Sequence, residues 1–391
     1  MIISDCRNEA VFSNEDGWSR LQRFRNVTFT SEQIKQLHKL PTKSKYDADV
    51  RKQATQIRQC LAQAREYYVA STAVSLATRP TLHYYSTMSL ALAEILLKQT
   101  GDSSLDRARE QHRHHGLTFQ DLGASGTDEP LEQAAKRLVA RPLVKAGNTR
   151  VGTFELWHQS ARGTPVVGKV TRPAPGGGTF TTIDILAVPN DTRMPLLPEA
   201  GISLLDCLKC IPAMSGYLER LDLHSNTYRG VAKKNERTDF TTLSFVVHPG
   251  APMPERVFEQ VTWPATQMEQ LQWIEFPGGG AVNITIPKGH DHPHWTGQQP
   301  QLPAGATMSV DDTRFWYRSE PLNEFGFLYT ALFIAGNYAR YYPDRWIVDV
   351  EHSAPLALAI EELLHIADER IPWLISSELE RRYYVRGELT A

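Results

Sequence analysis

The chain has 391 residues, of which 41% are hydrophobic and 22% are charged, a composition typical of an ordinary globular protein. The formal net charge of −2 excludes a global attraction to nucleic acid or to an anionic membrane, so binding of a polyanion would need a local basic patch. With four cysteines in so long a chain, we expect free thiols in a cytoplasmic protein rather than a disulfide framework. We expect no secretory signal, because the stretch MIISDCRNEAVF lacks a basic region followed by an apolar core. We also expect no membrane span, because the longest apolar stretch, Phe325 to Ala339, is too short.

Helical patterns dominate the N-terminal part of the chain. The stretch from Thr30 to Gln33 has the form of a capping box that would begin a helix. From Val50 onward, apolar residues recur at alternating steps of four and three, which predicts an amphipathic helix to about Ala77. Pro80 suits the first turn of the next helix, whose sequence TLHYYSTMSLALAEILLKQ is apolar on most sides.

The pattern changes near residue 150, where short β-branched and aromatic runs alternate with Gly and Pro and predict strands and hairpin turns. The predicted strands are GTFELWHQS, TPVVGKVTR, GTFTTIDILAV, TTLSFVVHP, QLQWIEFP, AVNITIP and TRFWYRS. One helix, broken near Pro212, interrupts them, and helical patterns return at Leu322. The sequence therefore predicts an α+β fold. A discontinuous, mainly helical domain (residues 1–148 and 320–391) would hold a β-rich insertion at 149–319.

The stretch RAREQHRHHG, from Arg107 to Gly116, is the part of the chain richest in residue types that act in catalysis, namely histidine and arginine. A histidine can exchange the proton of a ribose 2′-hydroxyl near neutral pH, and an arginine can hold the phosphate. The predicted catalytic residues are Arg107, Arg109, His112 and His114. On a continuous helix, Arg107 and His114 would share one face. A structural or solvated role stays open, because Gly116 favours a helix end and the pattern matches in several ways.

Two further clusters have the residue types of metal ligands. The alternate histidines of GHDHPHW, namely His290, His292 and His294, could ligate zinc, nickel or iron. Pro293 disrupts a central strand, so we favour a polar hairpin loop and assign no metal. Cys207 and Cys210 share a face of an apolar helix and are interpreted as buried structural thiols. No cofactor is expected, because the chain lacks a phosphate loop, a dinucleotide fingerprint and a nucleophile elbow.

Basic and aromatic clusters leave nucleic-acid binding open. Basic residues gather at Arg51, Lys52, Arg58 and Arg65, at Lys136, Arg137, Arg141 and Lys145, and at Arg381, Arg382 and Arg386. A solvated face is the default interpretation, and an RNA groove would require two of these clusters to meet Arg107 and Arg109. The tyrosine pairs Tyr67–Tyr68 and Tyr84–Tyr85 could stack bases or pack in the core.

Several stretches together resemble the YaaC-like proteins of bacteria. They are AREYYVASTAVSLATRPTLHYYSTMSLALAEILL, the HHGL that follows it, GTFELWH, LLDCLKCIP and NYARYYPDRW. Residues from about Pro249 to Ser319 carry little of this resemblance. The resemblance implies a fold rather than a reaction. It also implies a capping or packing role for His115, which occupies the HGL position of the family. The helical part also resembles the HEPN superfamily, whose helices often carry an Arg and, four to six residues later, a His used for metal-independent RNA cleavage.

The HEPN resemblance implies an RNA-directed ribonuclease, or a nucleic-acid-associated effector, in stress or phage defence. We then expect RNA or a protein as partner, a homo-oligomer and no membrane association. The alternative is a non-catalytic protein-interaction module or a subunit of a multi-protein system.

Overall fold

The structure is a computed structural model that describes most of the chain. The described residues are 10–12, 16–98, 105, 114–123, 129–161, 166–187, 194–247, 271–276, 279–287, 314–316 and 322–385. The protein has a mainly helical α+β fold. Within the described residues, no helix combines the length and the apolar character needed to cross a membrane.

The N-terminal part is built from helices. Its elements are β1 (Ala10–Phe12), α1 (Gly17–Leu21), a 3-10 turn (Gln22–Arg25), α2 (Val27–Leu37), α3 (Asp47–Thr72) and α4 (Arg79–Lys98). Helix α2 begins before the predicted capping box, because the Asn26 side chain accepts a hydrogen bond from the Phe29 amide. The Thr30 hydroxyl donates instead to the Phe24 carbonyl at 2.8 Å. Pro80 lies in the first turn of α4, as predicted.

A small sheet and two short helices follow α4. Strand β2 (Leu117–Asp121) pairs antiparallel with β3 (Leu138–Pro142), which pairs antiparallel with β8 (Ile202–Ser203). Helix α5 (Leu131–Arg137) leads into β3, and the hairpin of β4 (Val144–Lys145) and β5 (Thr149–Arg150) leads to α6 (Thr153–Ser160). The prediction of a strand at GTFELWHQS is therefore wrong. This segment is a helix that buries Phe154 and Trp157.

A seven-stranded sheet is formed by strands between residues 166 and 316. The strands are β6 (Val166–Pro173), β7 (Thr179–Ala187), β9 (Thr227–Glu236), β10 (Phe240–Val247), β11 (Leu271–Phe276), β12 (Gly279–Pro287) and β13 (Arg314–Trp316). Their order is β11-β12-β10-β9-β6-β7, with β13 beside β9. Among the described strands of this sheet, β6 and β9 are the one parallel pair, and the other pairs are antiparallel. The division into domains at 1–148, 149–319 and 320–391 stays a prediction.

The remaining helices complete the core. They are α7 (Leu204–Cys210), a 3-10 turn (Pro212–Met214), α8 (Ser215–Glu219), α9 (Glu324–Tyr341), α10 (Pro343–Glu351) and α11 (Pro355–Glu380), followed by β14 (Tyr383–Val385), which pairs with β1. The very apolar helices α4 and α9 pack together, as predicted. The Tyr84 ring lies 5.4 Å from that of Phe333, and the Thr81 hydroxyl donates to the Gly336 carbonyl. This pairing puts one face of α4 next to the chain that follows His114.

Candidate functional site

The HHG turn, defined as His114, His115 and Gly116, is fixed by the first turn of α6. The amides of Thr153 and Phe154 donate to the carbonyls of His114 and His115, each at 3.0 Å. These amides belong to the group at a helix N-terminus that has no partner within the helix, so the turn acts as their acceptor. The backbone of the turn is thus held at the end of α6.

A close approach of two glycines makes this contact specific. Gly116 and Gly152 have φ values of +89° and +108°, which favour glycine. A Cβ atom at Gly152 would lie 2.4 Å from the Gly116 Cα, so a side chain would force the two segments apart.

The two histidine side chains of the turn have different environments. His114 is exposed. His115 is half-buried, and its Nδ1 lies 2.8 Å from the Tyr84 hydroxyl and 3.4 Å from the Met88 sulfur. Burial lowers the pKa of His115, and the charges of Arg340 and His114 lower it further. The His115 imidazole is therefore neutral near pH 7, in agreement with its assignment to packing.

Aromatic and basic side chains surround the turn. The Tyr85 ring lies 6.1 Å from that of His115 and stacks on Tyr67 at 5.5 Å. The exposed Arg340 donates a hydrogen bond of 2.8 Å to the Tyr85 hydroxyl, and its guanidinium carbon lies 5.0 Å from the ring centre of Tyr341. The turn site is defined here as His114, His115, Tyr67, Tyr85, Arg340 and Tyr341. It brings together α3, α4, α9 and the chain before β2.

The turn site contains one of the four residues predicted to be catalytic. Arg107, Arg109 and His112 lie outside the described residues, so their pairing with His114 stays a prediction. Sequence reasoning did not identify Arg340, which lies in the quoted stretch NYARYYPDRW. Nothing in the pattern of α9 relates this arginine to a turn more than two hundred residues earlier.

Two segments of the chain, residues 21–128 and 186–379, match the family described as YaaC-like Protein. The chain belongs to this family. Among curated proteins and among solved structures, no match to the chain is found. The matched segments include residues 249–319, which carry little of the resemblance seen in the sequence, and they leave out 129–185, where GTFELWH lies. All six residues of the turn site lie inside the matched segments, whereas α6, which holds the turn, lies outside them.

The other predicted sites of this YaaC-like protein have structural roles or fall outside the described residues. His290, His292 and His294 are outside them. Cys207 and Cys210 are buried, and burial raises the pKa of Cys207 well above its usual value, so its thiol is protonated. Within the described part of the chain, no group of three or more His, Cys, Asp or Glu residues is arranged to hold a metal ion.

The predicted basic and aromatic clusters are only partly accessible. Arg137 is buried and donates to both Asp121, at 2.8 Å, and Glu129, at 3.1 Å, so it does not offer a free charge to a ligand. Tyr84 is buried against α9, whereas Tyr67 and Tyr85 are half-buried. Arg137 and Tyr84 are thus part of the architecture.

A cluster of buried, charged side chains lies at the C-terminal end of α4. Lys98 donates to the carboxylates of Glu94 and Glu378 and to the Ser160 carbonyl, and the Trp157 indole donates to Glu94 at 3.0 Å. Burial alone would lower the pKa of Lys98, but the two carboxylates outweigh it and raise this pKa, so the ammonium stays charged. The cluster fixes the C-terminal end of α4.

A second polar cluster, on the opposite side of α4 from the turn site, also joins helices. Asp368 accepts hydrogen bonds from His83, at 2.7 Å, and from Arg79. Burial acts to raise the pKa of Asp368, but these two partners outweigh it and hold the pKa below its usual value. The His83 side chain is only 3% exposed, so this polar cluster connects α4 with α11 rather than facing a substrate.

Proposed function

We propose that this YaaC-like protein is a cytoplasmic, metal-independent ribonuclease that acts on single-stranded RNA at the turn site. In this proposal its helical domain, residues 1–148 and 320–391, is HEPN-like and holds the β-rich insertion of 149–319. The observation that carries the proposal is the convergence of an exposed His114 and a neutral His115 with Arg340 and three tyrosine rings. A role in stress or phage defence follows by analogy with HEPN proteins.

The side chains of the turn site match the requirements of RNA cleavage. A base must take the proton of the ribose 2′-hydroxyl, whose oxygen then attacks phosphorus, and an acid must give a proton to the leaving 5′-oxygen. The products are a 2′,3′-cyclic phosphate and a 5′-hydroxyl. His114 is the exposed histidine of the turn and is assigned as an acid or base, with His112 as its proposed counterpart. Arg340, with Arg107 and Arg109, would bind the phosphate and stabilise its developing charge.

The tyrosines of the turn site suit an unpaired base. Single-stranded RNA is commonly held by stacking its bases on aromatic rings, with basic groups near the phosphates. Tyr341 is 59% exposed, and Tyr67 and Tyr85 stack on each other next to His115. A double-stranded substrate would keep its bases stacked inside the helix, so we expect single strands to be preferred.

The test is cleavage of a labelled single-stranded RNA in the presence of a chelator. We expect the wild type to produce ends with a 2′,3′-cyclic phosphate, and His114→Ala to lower the rate by about 10²–10⁴-fold, the usual contribution of a general acid or base. His352→Ala is the matched control, because His352 is also an exposed histidine at a helix end but lies outside the turn site. Loss of cleavage on adding the chelator, or equal rates in wild type and His114→Ala, would rule out the proposal.

The competing function is a non-catalytic interaction module, and one observation favours it. Tyr341, Ile347 and Val348 are large apolar residues, 59%, 43% and 37% exposed, and follow one another on α9 and α10. Exposed apolar residues that cluster often mark a protein–protein contact. In this case the partner would be another protein or a second copy of the chain. RNA that stays intact with the wild type, together with a mass of the native complex that falls on Ile347→Asp, would support the module.

A further inference from the structure

The segment from Gln22 to Arg65, which spans α2 and most of α3, is strongly basic. It contains ten Lys and Arg residues against three Asp and Glu residues, a net charge of +7. The whole chain has a net charge of −2, so the remainder is acidic. A charge asymmetry of this size within one protein is typical of a surface that meets a polyanion.

Three arginines of this segment share one face of α3. Arg51, Arg58 and Arg65 are spaced by seven residues, which is close to two helical turns, so their side chains form a row with about 10.5 Å between neighbours. Arg51 and Arg58 are exposed. From Val50 to Arg65 the helix contains no acidic residue that could neutralise the row.

None of these three arginines forms an ion pair with any residue that the structure describes. The guanidinium of Arg65 lies over the rings of Trp18 and Tyr68, at 5.1 and 5.0 Å from their centres. By contrast, Arg79 of the neighbouring helix is paired with Asp368. The positive charge of the row is therefore left for a ligand.

The connection that leads into α3 is also basic. Lys39, Lys43 and Lys45 are exposed in the connection between α2 and α3, whereas Lys35 is paired with Asp47 at 2.7 Å. The basic face is defined here as Lys39, Lys43, Lys45, Arg51, Arg58 and Arg65. Its helical part alone, from Arg51 to Arg65, is about 21 Å long, enough for several phosphates of an extended strand.

We propose that the basic face binds the phosphate backbone of RNA and supplies affinity that does not depend on sequence. This inference rests on the proposed function for the choice of RNA as the polyanion. Tyr67 of the turn site lies about 200° around α3 from Arg65, on the other side of the helix. The basic face is therefore a second contact surface, separate from the turn site.

The test is the salt dependence of RNA binding, measured by fluorescence anisotropy with a labelled single-stranded RNA of about 20 nucleotides. Each phosphate contact steepens the plot of log Kd against log salt by about 0.7 for a single strand. Arg51→Gln/Arg58→Gln is therefore expected to reduce the slope by about 1.4 and to weaken binding most at low salt. Arg220→Gln/Arg237→Gln removes the same charge from two exposed arginines outside the face and is expected to leave the slope nearly unchanged.

Measuring all proteins in the His114→Ala background removes cleavage from the experiment. The binding curves do not require cleavage, so they can be interpreted even if the protein proves not to be a ribonuclease. An unchanged slope for Arg51→Gln/Arg58→Gln would overturn the basic face as an RNA-binding surface, as would equal losses in the control pair. So would binding to anionic phosphatidylserine vesicles that depends on the two arginines while RNA binding does not.

Discussion

Charged side chains are arranged in opposite ways on two sides of the helical structure. Between α4, α9 and α11 they are buried and paired, as in the ion cluster of Lys98 and in Arg370, which donates two hydrogen bonds of 2.7 Å to Glu324. On α3 the arginines of the basic face have no such partner among the described residues. A buried charge must be paired because its desolvation costs several kcal/mol, whereas an exposed charge is solvated by water. The paired charges therefore belong to the architecture, and the unpaired charges are available for binding.

The largest effect is expected from breaking a pair in the paired region. Arg370→Met leaves the Glu324 carboxylate buried without its guanidinium, since Glu324 is 0% exposed. The free energy of unfolding should fall by about 3–5 kcal/mol, the usual cost of leaving a buried charge uncompensated. Urea denaturation followed by circular dichroism measures this change.

A double variant separates the lost charge from the lost packing. Glu324→Gln/Arg370→Met removes both charges, so it should recover part of the stability lost in Arg370→Met. If the double variant is less stable than the single variant, the carboxylate of Glu324 contributes through other contacts. That result would contradict the claim that an unpaired buried charge causes the loss in Arg370→Met.

The HHG turn combines a fixed backbone with the exposed side chain of His114. A substitution in the neighbouring segment can displace this backbone without removing the side chain. Gly152→Ala would place a Cβ against the backbone of Gly116 at a φ of +108°. We expect a loss of about 2–3 kcal/mol from backbone strain and displacement of the turn. Urea denaturation gives the loss, and hydrogen exchange of the Thr153 amide reports whether its bond to His114 is weakened.

Gly147→Ala is the matched control for this change. Gly147 also has a positive φ, of +79°, but a Cβ there meets no atom within 4 Å. It should cost only the backbone strain, so a loss as large as that of Gly152→Ala would show that the close approach to Gly116 contributes nothing.

The sequence was sufficient to predict the apolar helices but not the helix at GTFELWHQS. Helices α4 and α9 are apolar over many turns, and their packing followed from that property alone. Helix α6 holds the aromatic residues Phe154 and Trp157, which favoured a strand in the sequence pattern. The amides of its first turn bond to carbonyls of the HHG turn, about forty residues earlier in the chain. A tertiary partner of this kind leaves no periodic signal in the local sequence.

The candidate site could be predicted only where its residues are neighbours in the chain. His114 and His115 were found from the density of histidines before Gly116. Tyr85 was named only as a residue that could stack bases or pack in the core, and Arg340 was not identified, because both come from helices whose patterns indicate packing. Their meeting depends on the angle at which α4 and α9 cross. Arg107, Arg109 and His112 stay predictions, and mutating each of them in the cleavage assay would decide their roles.

A smaller effect is expected from the pH dependence of the turn. Burial lowers the pKa of His115, whereas the unfolded chain protonates this imidazole at a pKa of about 6.5. The contribution of neutral His115 to stability is present above about pH 6.5 and is lost as the pH falls through and below that value. The free energy of unfolding should therefore fall more steeply between pH 7 and 5 in wild type than in His115→Gln. Burial also lowers the pKa of His38, but both proteins contain it. Parallel curves would contradict the neutral state assigned to His115.

The smallest effect is expected from neutralising the basic face. Arg51→Gln/Arg58→Gln should change the free energy of unfolding by less than about 0.5 kcal/mol, because the two charges have no partner to lose. Their mutual repulsion is also weak, since about 10.5 Å exceeds the screening length of about 8 Å at physiological salt. Urea denaturation at 0.15 M salt measures the change, with Arg370→Met as the contrasting paired arginine. A loss of more than about 1 kcal/mol in the free energy of unfolding would mean that the two arginines stabilise the fold. The exposed charges of α3 could then no longer be distinguished from the buried, paired charges by their contribution to stability.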